Sequence, residues 1–566
     1  MSRPPRVPAA LSPTAHETVA VAAGSTRARR GILLLAVAAL IGAWCCMAGI
    51  SRTDPWYRNT DMNIHNLADA LAINSDVVPA HIDQPGLPPK YLLALDFRVR
   101  HFLGGLPVWN FRKLNMSQEP FQEVRTLVHL ERAHSRSLVV LFILAGAGLI
   151  YAVTRSPETS SLAVILLSGS SGLLFHGLIA RPDLLCMGFG AVLAAICAWQ
   201  ATSVRPGFGA VLWLFLAGLF AGLAALSKLP GLFYVATCFL WCCFAALTSD
   251  ASGGTSRSNP AGPGFWTGLL PMISGLAALW LLKRLVLLPD GLTPEAVLRL
   301  RVAAVAAIVL PLAGTLQPRH RLGDFLLGRI RELAVIVGGA LAALSLGYGL
   351  LGAVMSGSSA LRYLSGVTQV VADPGQLMRG FLSARPEVGR QFLLFARDTP
   401  FLLAASVAAV VALCVVRSGR GRLRAFIVFL VVNALGMALL LSRRGFLDQF
   451  GVYVQVPLLL AWPLGLFALG VWPDHAARRP PAHWAVPLAL TAAVVILLSV
   501  YFRVQPRYEA YQSDATLPVN DLTLTFLYDH DAHPRPYVQV MSDHYGNRQQ
   551  FAHALERYLA DPAHRD

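Results

Sequence analysis

Charged side chains are scarce in this chain of 566 residues: only 14% are Asp, Glu, Lys or Arg, whereas 55% are hydrophobic. The mean hydropathy of +0.54 is too high for a soluble protein, and the chain is too long for a single hydrophobic core. The sequence therefore predicts a polytopic membrane protein. Its 47 basic residues outnumber its 31 acidic residues, which is typical of basic loops retained in the cytoplasm. Nucleic-acid binding is a poor second interpretation of this charge.

The sequence shows no pattern of a disulfide framework or a zinc finger. All eight cysteines lie inside apolar runs, where free cysteine behaves as a small hydrophobic residue. A cleavable signal sequence is not evident either, because residues 1–31 form a tail rich in Pro, Ala and Arg and the first apolar run lacks a small-residue cleavage site. We expect this tail to be cytoplasmic.

The apolar runs predict an all-α membrane domain with about 13 transmembrane helices, since a helix needs about 20 apolar residues to cross a bilayer. Arginines recur in alternate loops, and the positive-inside tendency then puts the N-terminus in the cytoplasm and the C-terminus outside, with 283–301 as an exception to the pattern. The predicted spans are 32–50, 137–153, 160–180, 184–200, 208–227, 229–248, 265–287, 300–316, 333–355, 399–416, 425–442, 453–472 and 485–502.

Three regions follow from this organisation: the cytoplasmic tail 1–31, the transmembrane domain 32–502 and a small soluble outer domain 503–566. Within the second region we predict a long first outer loop, 51–136, and another outer loop, 356–398. The first loop contains apolar-periodic pieces near 64–73 and 91–103, which predict helices lying in the membrane interface. The outer domain is predicted to be α+β, with strands at 522–528 and 537–542 and a helix at 548–559.

Five aspartates lie between residues 52 and 95, directly after the first span. Acids at a bilayer edge are costly and usually functional. Asp61 opens a predicted helix, and His65 and Asp69 follow at steps of four, so the three share one helix face. The alternative is an N-cap at Asp61 and a solvated His65. Asp54 and Asp76 have no predicted partner, and we expect both to be solvated.

Asp83 lies in the segment HIDQPGLPPKYLL, whose prolines, with Gly86, force a turn that is not helical before the chain enters the next apolar stretch. A second acid, Asp183, follows Arg181 and Pro182 on the same predicted outer face. Proline followed by aspartate suits a helix start, where the helix dipole favours an acid. A stiff surface loop and a simple helix cap are the alternatives for these two acids.

Lys228, in GLAALSKLPG, is the only lysine between Lys113 and Lys283. It is placed at the outer end of a predicted span, where it could bind a phosphate or simply extend to the interface. Arg443 and Arg444 lie on the same predicted face, and they too are either phosphate ligands or interfacial anchors.

Four pieces in this order resemble the integral-membrane glycosyltransferases of the type C fold that use polyprenyl-phosphate sugars. They are NTDMNIHNLADAL, HIDQPGLPPKYLLAL, RPDLL and GLAALSKLPGLFYV, all within residues 32–245. The similarity is to the protein O-mannosyltransferases and the lipid A aminoarabinose transferases.

The resemblance implies that Asp61 is the catalytic base, that Asp183 is a second acid supporting it or a divalent metal, and that Lys228 binds the donor phosphate. Asp83 and His65 are then candidates for contacts to a metal or the acceptor. The family often has a lysine after the loop acid, but this chain has Gln84 there, so the missing phosphate contact is assigned to three other candidates: Lys90, Arg443 and Arg444. Tyr91 and Arg181 are further candidate site residues.

The resulting prediction is an enzyme that moves a sugar from a polyprenyl-phosphate donor to a glycolipid, polysaccharide or protein acceptor, with inversion, at the outer face of a bacterial inner membrane. Two other classes stay open. A transporter or flippase for a lipid-linked sugar would have polar residues near the middle of several spans, and these spans consist largely of Leu, Ala, Val and Gly. A non-catalytic assembly protein would use the acids only as helix caps.

Overall fold

A computed structural model provides the coordinates of this protein. The residues it describes are 13–57, 63–77, 79, 86–179, 181–202, 208–228, 231, 233–234, 237–238, 321–352, 423, 426–427, 429–431, 433–434, 436–437, 452–468, 485–513, 545 and 548–565.

Helices are the regular elements throughout this described part of the chain. In chain order they are α1 (Pro13–Thr53), α2 (Asn63–Ile73), α3 (Leu87–Phe102), α4 (Phe111–Asn115), α5 (Pro120–Thr154), α6 (Pro157–Ser168), α7 (Ser171–Leu178), α8 (Asp183–Thr202), α9 (Phe208–Ser227), α10 (Arg321–Gly352), α11 (Val452–Ala468), α12 (Ala485–Ser513) and α13 (Arg548–Ala560), followed by a 3₁₀ turn (Pro562–His564).

Several predicted segments agree with these helices. The predicted span 208–227 coincides with α9, the interfacial piece 64–73 with α2, and the predicted helix 548–559 with α13. The predicted strands at 522–528 and 537–542 lie outside the described residues, as do the spans 265–287, 300–316 and 399–416. The helical membrane architecture is thus supported, whereas the count of 13 spans and the α+β outer domain stay predictions.

The predicted span 160–180 is two helices, α6 and α7, which bend by 58° at the break between them. Gly169 ends α6, and the Ser170 side chain then caps α7 by accepting a hydrogen bond from the Leu173 N–H at 3.3 Å. A serine cap satisfies one of the free N–H groups at a helix start. The apolar run alone could not reveal the break, because serine and glycine at these positions interrupt the helix without lowering its hydropathy much.

By length and apolarity, two helices of the described residues could cross a membrane, 30–52 within α1 and the whole of α5. The number rises to three if the bent pair α6 and α7 is one span. Shorter apolar helices occur at Asp183–Ala194, Val211–Ser227 and Val452–Ala468.

The buried apolar residues form two separate cores. The larger core joins α1, the second half of α5 and α6 to α12. The smaller core is built from the first loop, α2, α3, α4 and the first half of α5, and α13 packs against it through Phe551 and Leu555, both fully buried. The last described helix is therefore part of the same packed unit as the first loop.

Helices α9 and α10 approach so closely that their backbones touch. A methyl group built on Gly218 would collide with the Ile336 carbonyl, and one on Gly339 would collide with the Phe215 carbonyl. Small residues allow this kind of close packing between helices in membranes, where van der Waals contact drives association. Helix α9, which ends just before Lys228, thereby gains a firm support.

One prediction about the first loop is wrong. Asp54 is not solvated: it is 2% exposed and forms an ion pair with Arg132, with 2.9 Å between Oδ2 and Nη2. Its partner lies 78 residues further along the chain, so no local pattern could indicate the pair. Asp76 is exposed as expected, in the left-handed region at φ 56°.

Candidate functional site

The proline-rich turn before α3 meets the end of α9. The Gly86 N–H donates a hydrogen bond to the Leu226 carbonyl at 3.2 Å, two residues before Lys228. Gly86 has φ +150°, a backbone conformation that residues with a side chain rarely adopt. A Cβ at this position would lie 3.5 Å from the Cβ of Pro182. Three of the four family-like pieces, which are distant in sequence, are therefore in contact here.

Asp183 and Lys228 form an ion pair at this junction, with 2.6 Å between Oδ2 and Nζ. Asp183 is the first residue of α8, one residue after the start that the Pro-Asp pattern predicts, and Lys228 directly follows α9. The Asp183 side chain is fully buried, whereas 15% of the Lys228 side chain is exposed. Lys228 is therefore the partly exposed member of the pair.

Arg181 adds a second positive charge beside Asp183, with 3.5 Å between Nε and Oδ2. The other carboxylate oxygen, Oδ1, is buried and makes no hydrogen bond within the described part of the protein. Buried carboxylate oxygens normally have a partner. Oδ1 is thus the Asp183 atom at which a further donor or cation could bind.

A second buried ion pair lies next to the first. Lys90 of α3 contacts Asp69 of α2, with 2.7 Å between Nζ and Oδ2, and both side chains are almost inaccessible. The Lys90 Cε lies 3.7 Å from the position of a Cβ on Gly86. Since Asp69 already neutralises Lys90, the pair fixes α2 against α3 directly after the proline-rich turn. The sequence predicts neither the pairing nor its burial; it predicts only that Asp69 shares a helix face with His65, which is half-buried.

Tyr91 follows Lys90 on α3 and is half-buried. Its hydroxyl has no hydrogen-bond partner among the described residues. Burial raises the pKa of the phenol above its ordinary value of 10.0. Tyr91 is therefore a neutral hydroxyl donor at physiological pH.

Four predicted site residues, Asp61, Asp83, Arg443 and Arg444, lie outside the described residues. The described chain stops at Tyr57 and resumes at Asn63 on either side of Asp61, and it resumes at Gly86 after Asp83. The roles assigned to these four residues, and the catalytic roles of Asp183 and Lys228, stay predictions.

The described residues alone do not make a metal site. No three His, Cys, Asp or Glu side chains converge among them, and Asp183 is already compensated by Lys228 and Arg181. Divalent cations such as Mg²⁺ and Ca²⁺ are usually bound by several oxygen ligands. A metal would need donors from the undescribed segments, and no step below is assigned to one.

An apolar groove opens between α5 and α8, beginning one residue after Asp183. Its volume is about 450 Å³, within the usual range for ligand pockets. Leu184 and Leu185 line the end next to the ion pair, and Phe142 and Gly148 line the α5 side. The remaining lining residues are Leu138, Leu141, Ala145, Leu149, Ala152, Gly188, Phe189, Ala191, Val192 and Phe220.

Comparison with known families supports the resemblance seen in the sequence. The family model of the dolichyl-phosphate-mannose-protein mannosyltransferases matches residues 89–289, a stretch that contains Lys90, Asp183 and Lys228. The predicted similarity to membrane glycosyltransferases of the type C fold is thus confirmed. No curated protein matches the chain.

Solved structures that align with the chain include three of an oligosaccharyltransferase from Archaeoglobus fulgidus. One, AglB in complex with an inhibitory peptide and a dolichol-phosphate, is 15% identical with a TM-score of 0.44, over 89% of this chain and 60% of its own. The apo form is 13% identical with a TM-score of 0.45 and the same coverage. The complex with zinc and sulfate is 15% identical with a TM-score of 0.44, over 88% of this chain and 57% of its own. This chain thus spans less than two thirds of their length.

Proposed function

We propose that this protein transfers a sugar from a polyprenyl-phosphate donor to an acceptor hydroxyl at the outer face of a bacterial inner membrane. The observation that carries the proposal is the junction of the proline-rich turn, Asp183 and Lys228. Segments that are about 40 to 140 residues apart in the chain, and that resemble one family's motifs in order, meet around the partly exposed side chain of Lys228.

Lys228 is assigned to the donor phosphate. As the sugar leaves, negative charge develops on the phosphate, and a fixed cation in a water-poor site stabilises that charge in the transition state. The Lys228 ammonium group donates a hydrogen bond to Asp183 Oδ2 at 2.6 Å. In this role Asp183 acts through Lys228, whose ammonium group it holds in place, and Arg181 adds a second positive charge 3.5 Å from the same carboxylate oxygen.

Asp61 is assigned as the general base. It takes the proton of the acceptor hydroxyl while the acceptor oxygen forms a bond to the anomeric carbon. The bond from that carbon to the phosphate oxygen breaks with its electron pair, and polyprenyl phosphate leaves. One displacement of this kind inverts the anomeric configuration.

The α5/α8 groove is assigned to the start of the isoprenoid chain. Its lining is apolar, and it ends beside the residue that holds Lys228. A lipid-linked phosphate requires an arrangement of this kind, with a cation at the head and an apolar surface for the chain. The groove therefore supports a donor that enters sideways from the bilayer.

The packing of α13 supports the proposed orientation. Residues of α13 share a core with the first loop, through Phe551 and Leu555. Because they are in contact, α13 and the first loop lie on the same side of the membrane. If the N-terminal tail is cytoplasmic, one crossing puts the first loop outside, and α13 must then follow an odd number of crossings. This agrees with the orientation that the arginines predict.

Filling the groove should weaken binding of long-chain donors. Gly148 lines the groove, and a Cβ there would meet no atom within 4 Å. We expect Gly148→Leu to raise the KM of a donor with a long polyprenyl chain about 10-fold, since several buried methylene contacts are lost. The KM of a donor with a short isoprenoid chain should change little. Steady-state transfer assays with the purified protein in detergent measure both.

Gly49→Leu is the matched control, because Gly49 is also a helical glycine, is exposed, and has open space at its Cβ. It should leave both KM values unchanged. If Gly148→Leu changes the KM values of the long-chain and short-chain donors equally, the assignment of the groove to the isoprenoid chain is refuted.

The stereochemistry of the product tests the displacement itself. With Asp61 as base and no covalent intermediate, a donor of one anomeric configuration should give product of the opposite configuration only. Proton NMR of the isolated product reads this from the coupling of the anomeric hydrogen. A product with retained configuration would exclude single displacement while leaving transferase activity established.

A further inference from the structure

Residues 54–57 connect α1 to the segment that contains Asp61, and they are held from two sides. Trp56 is fully buried and Asp54 nearly so. The groups that hold them come from α5, α12 and the region of α13, so elements more than 70 residues away in sequence fix this short connection.

On one side, Asp54 is bound by two side chains. Tyr508 of α12 donates a hydrogen bond to Oδ2 at 2.6 Å, and Arg132 of α5 contacts the same oxygen at 2.9 Å. Arg132 also donates to the Asp54 carbonyl at 2.7 Å and to the Pro55 carbonyl at 3.1 Å. Both the side chain and the backbone are thereby fixed.

On the other side, Trp56 is bound by the end of the chain. Its indole N–H donates to the His564 carbonyl at 2.9 Å. The Tyr558 ring meets the Trp56 ring edge to face, with centroids 6.3 Å apart, and it stacks on the His564 ring at 4.0 Å. Such aromatic pairs add to the energy of simple burial.

Helix α13 is itself fixed to α5. Arg125 donates to the Ala563 carbonyl at 2.9 Å, and the Tyr558 hydroxyl donates to Gln122 Oε1 at 2.6 Å. Phe551 is fully buried against Phe121, with ring centroids 5.3 Å apart. Because α5 also supplies Arg132, the two sides rest on one helix.

We propose that Tyr508 and residues 548–565 form a clamp on residues 54–57 that positions Asp61. The indole of Trp56 precedes Asp61 by five residues, so a fixed Trp56 limits where the next residues can go. General-base catalysis requires an approach within hydrogen-bond distance of the acceptor hydroxyl. The donor cation Lys228 is held by α8 and α9, so the clamp acts on the base and not on donor binding.

The test uses two conservative variants of the full-length protein and rests, for its kinetic arm, on the proposed role of Asp61. Trp56→Phe keeps an aromatic ring but removes the N–H together with the five-membered ring of the indole, and Tyr508→Phe removes only the hydroxyl. Each should lower kcat about 10-fold, because small misplacements of a reacting group are costly. The KM of the polyprenyl-phosphate donor should stay within about 2-fold, since the Lys228 site is untouched. Removal of residues 545–566 should lower kcat further.

Tyr501→Phe is the matched control. Tyr501 lies two turns earlier on α12, and its hydroxyl donates to the Ala39 carbonyl of α1 at 3.0 Å, so it fixes the same pair of helices without reaching residues 54–57. Its kcat should equal that of the unaltered protein. If Trp56→Phe and Tyr508→Phe behave like this control, the clamp is refuted.

Hydrogen exchange separates this proposal from the proposed function. The amides of residues 56–63 should exchange faster in Trp56→Phe and Tyr508→Phe than in Tyr501→Phe, whether or not the protein transfers sugars. Unchanged exchange would overturn the clamp even if transfer is observed, whereas faster exchange in a protein without any transferase activity would refute the function alone.

Discussion

Asp61→Asn should abolish sugar transfer. The amide cannot accept the acceptor's proton, and loss of a positioned general base costs about 10² to 10⁴-fold in rate. We expect kcat to fall by at least about 10³-fold, with insertion into the membrane and the KM of the donor nearly unchanged. Release of polyprenyl phosphate from a labelled donor measures the rate, and membrane fractionation measures the insertion.

Asp76→Asn is the control for this variant. Asp76 lies in the same loop and is exposed, and its φ of 56° is a conformation that asparagine tolerates. The substitution makes the same chemical change without touching the proposed site, and activity should be retained. Near-normal transfer by Asp61→Asn would refute the assignment of the base.

Lys228→Met should have two effects that can be separated. Transfer should fall about 10² to 10³-fold, since a preorganised charge partner of the departing phosphate is lost. The protein should also lose about 3 kcal/mol of stability, because Asp183 keeps a buried charge after its closest cation is removed. Thermal unfolding in detergent reports the second effect and the transfer assay the first.

The double variant Lys228→Met with Asp183→Asn distinguishes catalysis from structure. Removing both charges should restore most of the stability, because no buried charge is then left without compensation. Activity should stay at the low level of Lys228→Met, because the phosphate still lacks its cation. Recovery of activity together with stability would show that the pair has a structural role only. Lys113→Met, at an exposed lysine of α4, should change neither quantity.

Much of the helical architecture follows from local features. The apolar run 208–227 predicts α9 to the residue, and the Pro-Asp pattern predicts a helix start at Pro182, one residue before the observed start of α8 at Asp183. Such boundaries can be predicted because apolarity and capping act within a few residues. The break between α6 and α7 was missed because a capping serine in an apolar run resembles any other small residue of a span.

The candidate site likewise combines residues that the sequence suggests with contacts that depend on tertiary packing. Residue type and order suggested Asp183, Lys228 and the proline-rich turn, and the family match includes the first two. Their contact depends on how α3, α8 and α9 pack, and in particular on the left-handed Gly86 that lets the turn reach the Leu226 carbonyl. The pairing of Lys90 with Asp69 likewise depends on packing between two helices.

The sequence by itself determined that this is a helical membrane protein, that acids gather after its first span, and which residues resemble a glycosyltransferase site. These are properties of composition, periodicity and order, which do not require contacts between distant segments. The tertiary structure decided which charges are paired. In it, Asp54 is buried in contact with Arg132 and Tyr508, and Asp183 forms an ion pair with Lys228. Residues 548–565 pack against the first loop. Ion pairs and docked helices arise where distant segments meet, and only the packing of the whole chain fixes those meetings.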